Sequence, residues 1–254
     1  MDLSHLLSEI AEKKAALDAM RPLKTEALVN LRKYYDLELT YTSNAIEGNE
    51  LTARETAEVI EHGVTIAGKR LRDHLEAVDH YEALQWVREL ADEKTPLGEV
   101  TVTELHRRVI ARSQPEIAGI YSTFPRRILG SSVVFPNPAK VPDLMAELGA
   151  WLAGAAPSPA SAFEAHLRLV SIHPFSDGNG RAARLLMNLI LLRAGYPPVA
   201  IRPEDRLAYL DAIEKAQLSS DASAYNELML QRLSETLSDY IGVLRQGAPP
   251  QEQK

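Results

Sequence analysis

A short loop rich in glycine and charge separates two apolar segments within residues 167–187. Pro174 disfavours helical backbone at the residue before it, so the first apolar helix is predicted to end at His173. Gly178 and Gly180 allow the loop backbone to turn sharply and to approach a ligand closely. The pattern therefore predicts a helix–loop–helix unit whose second helix begins near Gly180.

Apolar residues recur at helical spacing along most of the 254-residue chain. Hydrophobic residues make up 45% of the chain and charged residues 25%, which is usual for a globular protein with a sizeable core. Thr52 with Glu55, and Thr101 with Glu104, have the spacing of capping boxes that open helices. We predict helices at residues 3–20, 22–40, 70–92, 161–172, 180–194, 204–217 and 222–244, among others.

Residues 121–136 break this helical pattern. Tyr121, Val133 and Phe135 lie on either side of a Gly/Ser turn at residues 130–132. Aromatic and β-branched residues around such a turn are typical of a β-hairpin. Because a lone hairpin is not stable by itself, we expect it to pack on helices. The predicted fold class is mainly α, with a small β-hairpin.

Charge and residue content exclude several classes of function. The formal net charge is -7 and no strongly basic region is present, which argues against binding to nucleic acid. The absence of cysteine excludes disulfides, thiolate catalysis and zinc sites with Cys ligands. The N-terminus lacks the features of a signal peptide, and the apolar run near the loop is too short to span a bilayer. We therefore expect a cytoplasmic protein that does not bind membranes.

The loop after His173 combines the groups that phosphoryl or nucleotidyl transfer requires. An imidazole can take a proton from a hydroxyl near neutral pH. A carboxylate such as that of Asp177 can hold Mg²⁺ together with phosphate oxygens. Free N–H groups at the start of the second helix attract anions, and Arg181 and Arg184, three residues apart, suit phosphate oxygens. The sequence therefore predicts a site for the phosphates of a nucleotide.

Residues 178–183 also fit a loose dinucleotide-binding fingerprint. That fingerprint requires strand–helix–strand alternation around it and an acidic residue about twenty residues later. Neither feature is present, so the dinucleotide interpretation is rejected.

Residues 173–184 resemble the motif of the Fic family of nucleotidyltransferases, His-x-Phe-x-Asp/Glu-Gly-Asn-Gly-Arg-x-x-Arg, and match each specified position. The resemblance extends over roughly residues 40–230 and implies a Fic-like helical bundle. It implies transfer of AMP from ATP to a Ser, Thr or Tyr hydroxyl of a target protein, with Mg²⁺ as cofactor or Mn²⁺ in its place. His173 would be the general base, Asp177 the metal ligand and Phe175 an anchor of the loop. The implied nucleotide-binding residues are Gly178, Asn179, Gly180, Arg181, Arg184 and, in the nucleoside pocket, Tyr209.

Residues 119–145 are similar to the family's target-docking flap and the helix that follows it. By this resemblance Arg126, Arg127 and Ile128 would pair with the target backbone as an added strand. The family usually has an arginine where this chain has Ser122.

A second motif, from Ser43 to Gly48, resembles an inhibitory helix that some family members carry before the catalytic domain. In those proteins the glutamate, here Glu47, pairs with the last arginine of the catalytic motif, here Arg184, which would otherwise hold the γ-phosphate. Keeping the open state near one per cent needs only about 2.7 kcal/mol, which a partly buried ion pair and helix docking can supply. The expected activity is autoinhibited AMP transfer.

Two other functions remain open. In some relatives the same glutamate positions a water that removes AMP from modified targets, so AMP removal is one alternative. A nucleotide-sensing interaction module without turnover is the other.

We divide the chain into an N-terminal helical extension at residues 1–40 and an inhibitory helix with the helices after it at 41–95. A catalytic core follows at 96–245, and a disordered tail is predicted at 246–254. Charges of both signs in the extension favour a core or homodimer surface over a membrane-binding one.

Overall fold

Residues 3–21, 25–93 and 95–246 are described by this computed structural model, and they form ten α-helices. The mainly α fold class is therefore confirmed. The predicted tail lies outside the described residues, apart from Gln246. The helices are α1 (Leu3–Ala19), α2 (Thr25–Ile46), α3 (Ala53–His62), α4 (Leu71–Asp92), α5 (Glu99–Val109), α6 (Val141–Gly154), α7 (Pro159–Ile172), α8 (Asn179–Arg193), α9 (Arg206–Ser219) and α10 (Ser223–Gln246).

Helix α8 lies at the centre of the molecule. It packs against α7, α4 and α5. Twelve of its residues are buried, including an unbroken run from Arg181 to Leu191. A helix surrounded by other helices buries residues on all of its faces, which explains the apolar stretch after Arg184, interrupted at Asn188. The first turn of α8 is consequently held rigidly against three neighbouring helices.

The N-terminal helices share one core with the helices of the predicted catalytic region, residues 96–245. Helix α1 packs along α10 through Leu6, Ile10 and Leu17, and these side chains join the same hydrophobic cluster as α8. Helix α2 runs without interruption through residues 40 and 41, where we had divided the chain. The predicted extension and inhibitory helix are therefore packed against the core as parts of one helical assembly.

Only one of the two predicted capping boxes opens its helix. Thr52 accepts the backbone N–H of Glu55, and the Glu55 carboxylate accepts the backbone N–H of Thr52, as predicted. Helix α5 instead begins at Glu99, two residues before the predicted cap. Thr101 accepts the backbone N–H of Gly98 from within the first turn.

The predicted β-hairpin at residues 121–136 is wrong in one respect: the described residues contain no paired strands there. A turn is present, since Ser131 donates its N–H to the Ile128 carbonyl at 3.1 Å. The backbone on either side of this turn forms hydrogen bonds with other parts of the chain. Tyr121 forms an isolated bridge with Phe175, and Ser132 donates its N–H to the Glu214 carboxylate at 2.9 Å. Partners on other elements therefore replace the cross-strand ladder. Residues 121–136 form a loop, the flap, which contacts Pro174 and Phe175.

No helix among the described residues is both long enough and apolar enough to cross a membrane.

Candidate active site

His173 lies at the junction between α7 and the segment of residues 173–181, called the catalytic loop from its predicted role. The sequence predicted this position. Its backbone is left-handed, with φ 50° and ψ 54°, and its N–H donates to the Leu169 carbonyl at 3.0 Å. This conformation costs free energy in a residue with a β-carbon, so the surrounding structure must hold it in place. The imidazole of His173 therefore lies at the start of the loop.

The environment of the His173 ring favours the neutral imidazole. The ring stacks on Phe135 with centroids 4.1 Å apart. Burial lowers the pKa of His173, although a hydrogen bond to the Val170 carbonyl and the nearby Glu47 charge act in the opposite direction. The ring nitrogen that bonds to Val170 carries the proton, which leaves the other nitrogen free to accept one.

Two residues of the loop close it on itself. Asn179 accepts the backbone N–H of Phe175 with its Oδ1 and donates its Nδ2 to the carbonyl of the same residue, both at 2.9 Å. The Phe175 side chain is fully buried, in the position predicted for an anchor. The polar atoms of Asn179 are therefore engaged in shaping the loop, whereas the sequence analysis assigned them to phosphate.

His106, on α5, packs against the catalytic loop. Its ring stacks on Phe175 with centroids 3.6 Å apart and planes almost parallel. Nε2 donates to the Asp177 carbonyl at 2.8 Å, and Nδ1 accepts the Gly119 N–H at 3.0 Å. Burial lowers the pKa of His106 to about 4, so the neutral ring can serve as donor and acceptor at once. This residue was not predicted from the sequence; the signal for it is its place on the buried face of α5, next to Leu105.

Asp177 is surrounded by donors. Its Oδ2 accepts from Arg72 Nη2 at 2.7 Å and from Gln114 Nε2 at 2.5 Å, and its Oδ1 accepts the Gly178 N–H at 2.6 Å. Arg181 Nη2 lies 3.5 Å from Oδ1. Burial alone would raise the pKa of Asp177, but Arg181 and the other donors hold it below its usual value. The carboxylate is therefore ionised near neutral pH.

Asp177 could hold a metal ion only with help from a ligand. No group of three or more acidic or histidine side chains suited to a metal exists among the described residues. Mg²⁺ is commonly held by one or two carboxylates together with substrate phosphates and water. The single ionised carboxylate of Asp177 fits that arrangement.

Arg181 carries unused hydrogen-bonding capacity inside the protein. Its side chain is 1% exposed, and its Nε and Nη1 have no hydrogen-bond partner. The nearest carboxylate oxygens, on Glu76 and Asp177, lie 3.4 and 3.5 Å away. Buried donors without partners are costly, so a positive charge is held under the start of α8 at a cost in stability.

Glu47, the residue after the end of α2, contacts the N-terminal part of α8. Its Oε1 accepts from Arg184 Nη2 at 2.8 Å, while Ser43 accepts from Arg184 Nε through its hydroxyl at 3.0 Å. Gly48 follows with a φ of 90°, which turns the chain away. A β-carbon at Gly180 would lie 2.4 Å from Glu47 Oε1. The glutamate carboxylate thus occupies the space that the glycine leaves at the N-terminus of α8.

The other predicted site residues lie in different surroundings. Tyr209 is buried and hydrogen-bonds through its hydroxyl to His166 Nε2 at 2.7 Å, so it lies in the core beneath Arg184 and does not line an open pocket. Arg126 bonds to the hydroxyls of Ser122 and Ser176, which ties the flap to the catalytic loop. Arg127 and Ile128 are exposed on the flap.

A model of the Fic/DOC family matches residues 96–191. The protein adenylyltransferase Fic of Nematostella vectensis is 35% identical over 206 residues, which cover 79% of this chain and 48% of that protein. The chain spans about half the length of the curated relatives it matches.

Solved structures share the fold over nearly the whole chain. A Fic domain containing signaling protein from Bacteroides thetaiotaomicron superposes with a TM-score of 0.86 at 28% identity, covering 97% of this chain and 100% of that one. Fic-1 from C. elegans superposes with a TM-score of 0.85 at 29% identity, covering 96% of this chain and 74% of that one.

Proposed function

The chain contains a domain of the Fic/DOC family, and from this premise we propose that it transfers AMP from ATP to a Ser, Thr or Tyr hydroxyl of a target protein. The observation that carries the proposal is the loop from His173 to Arg181. Within it, a neutral imidazole, an ionised carboxylate and the N-terminus of α8 lie close together. Relatives named protein adenylyltransferase support the same activity.

The proposed reaction uses His173 as a general base. The target hydroxyl attacks the α-phosphorus of ATP, and His173 accepts the hydroxyl proton on the ring nitrogen that does not bond to Val170. The bond from the α-phosphorus to the oxygen that bridges to the β-phosphate breaks, and pyrophosphate leaves with that electron pair. AMP remains attached to the target oxygen.

The residues after His173 would bind the triphosphate. Asp177 would hold Mg²⁺, which supplies positive charge to the phosphates when bound. The N–H groups at the start of α8 and the guanidinium of Arg181 would bind phosphate oxygens. Asn179 would contribute indirectly, because its side chain gives the loop its shape.

We further propose that Glu47 holds the enzyme in an inactive state. Its carboxylate neutralises Arg184 and fills the space against Gly180, so a γ-phosphate could not bind there at the same time. Arg206 supports this arrangement by donating to the Ile46 carbonyl at 2.7 Å, at the end of α2. Productive ATP binding then requires α2 to release Arg184.

AMP removal is a second candidate activity of the same site. The Glu47 side chain is 37% exposed even while it pairs with Arg184, and its charge acts on His173. A carboxylate placed in this way could orient a water toward an AMP-modified side chain. Glu47 would then be required for removal, whereas it opposes transfer.

Incorporation of label from α-³²P-ATP with Mg²⁺ tests the proposal, using self-modification as the readout. We expect little label in the wild type, strong label in Glu47→Gly and none in Glu47→Gly/His173→Ala. Glu50→Gly is a matched control, because Glu50 is an exposed neighbour that pairs with Arg70 and not with Arg184.

Absence of label in all variants would contradict AMP transfer. Equal activation by Glu50→Gly would contradict a specific role for Glu47. If a labelled target loses its AMP with the wild type but not with Glu47→Gly, AMP removal is the better description of the site.

A further inference from the structure

In this conformation each lone-pair position of the Asp177 carboxylate faces a hydrogen-bond donor, so none is open to a metal ion. A carboxylate offers about four lone-pair positions on its two oxygens. Donors from Arg72 and Gln114 approach Oδ2, and donors from Gly178 and Arg181 approach Oδ1. An ion can therefore bind to Asp177 only if one of these four donors withdraws.

Three of the four donors are poorly placed to leave. The Gly178 N–H belongs to the adjacent residue and moves with the loop. Arg181 is enclosed beneath α8, with its side chain 1% exposed. Gln114 is half-buried, and because its amide carries no net charge it repels a cation less than a guanidinium does.

Arg72 differs from the others in exposure and in charge. It lies in the first turn of α4, its side chain is 50% exposed, and its guanidinium carries a full positive charge next to Oδ2. Its Nε also donates to Glu76 Oε1 at 2.9 Å. Because that second contact remains when Nη2 leaves Asp177, the side chain can withdraw without losing every partner.

We propose that Arg72 is a positioning residue that covers Oδ2 of Asp177 and thereby sets the Mg²⁺ concentration that the enzyme would require. This inference rests on the proposed function, since it takes Asp177 as the metal ligand. Arg72 acts as a cationic substitute for the ion: it keeps the carboxylate ionised and oriented, and it must be displaced when metal and nucleotide bind. A guanidinium and a divalent cation repel each other at one oxygen, so the two states exclude each other.

Metal binding is measured directly with Mn²⁺ by electron paramagnetic resonance, which records the loss of the free-ion signal. The 254-residue chain, in a Glu47→Gly background that frees Arg184, is held in excess over α,β-methylene-ATP, a nucleotide that cannot transfer AMP. The same nucleotide without protein is the reference. The variants are Arg72→Ala and Arg72→Gln, the second of which keeps a hydrogen-bond donor but removes the charge. Arg107→Ala is the matched control, because Arg107 is equally exposed and pairs with Glu104.

We expect Arg72→Ala and Arg72→Gln to lower the Mn²⁺ dissociation constant by about two- to fivefold, in keeping with the strength of exposed ion pairs. Arg107→Ala should leave the constant unchanged, and Asp177→Ala should abolish the gain in Mn²⁺ affinity over that of the nucleotide alone. An unchanged or weaker affinity in both Arg72 variants would overturn the proposal and leave AMP transfer standing. Retention of that gain in Asp177→Ala would overturn the metal assignment of the proposed function and this inference together.

Discussion

Three buried histidines should make the stability of this protein depend steeply on pH. His80, His106 and His166 are each at most 1% exposed. Burial lowers the pKa of His80 and His166 to about 3, assisted by the nearby arginines, and lowers the pKa of His106 to about 4. All three are therefore neutral in the folded protein above pH 5.

The sign of the effect follows from proton binding. The unfolded chain binds these protons near pH 6.5, whereas the folded chain binds them only near pH 3–4. Between these values the unfolded state holds more protons, so the free energy of unfolding falls as the pH falls. At pH 5.5 each histidine removes about 1.4 kcal/mol and the three together about 4 kcal/mol, set against a usual total of about 5–15 kcal/mol.

Urea unfolding followed by circular dichroism between pH 7.5 and 5 measures this slope. His80→Gln should reduce the number of protons taken up on unfolding by about one at the acidic end of this range. His62→Gln is the matched control, because His62 is an exposed residue at the end of α3. A free energy of unfolding that stays constant from pH 7 to 5.5 would refute the reasoning, as would equal effects of the two variants.

Two further substitutions test the catalytic loop. In a Glu47→Gly background, His173→Ala should abolish label transfer from α-³²P-ATP yet leave nucleotide binding intact by calorimetry; transfer that persists at a similar rate would remove His173 as the base. Asn179→Ala deletes two buried hydrogen bonds to Phe175 and should destabilise the fold by about 2–3 kcal/mol in thermal or urea unfolding. An unchanged melting temperature in Asn179→Ala would show that the loop does not depend on this side chain.

Features set by local chemistry could be predicted from the sequence. The end of α7 at His173 follows from Pro174, and the start of α3 follows from the reciprocal bonds of Thr52 and Glu55. In each case, the residues that decide the structure lie within four positions of one another. The catalytic loop was accessible to sequence analysis because its groups also lie on one short segment.

Features set by distant partners could not be predicted in the same way. Arg72 and Gln114 are 105 and 63 residues away from Asp177 in the sequence. No pattern near the loop therefore predicts either contact. The prediction of a β-hairpin at the flap was wrong for a similar reason. Its residues have strand propensity, but its backbone bonds to Pro174 and Glu214 on other elements, and tertiary partners override local preference.

Gly180 connects the two motifs found in the sequence. The sequence predicted that a glycine here lets the backbone approach a ligand closely, and in the structure the Glu47 carboxylate occupies the space beside it. Both groups are anions, and both are attracted by the N–H groups of α8 and by Arg184. The features from which we propose a phosphate site at this helix terminus thus also hold a glutamate of the same chain. The proposed inhibition needs no separate binding surface, only a helix that brings one carboxylate to the same place.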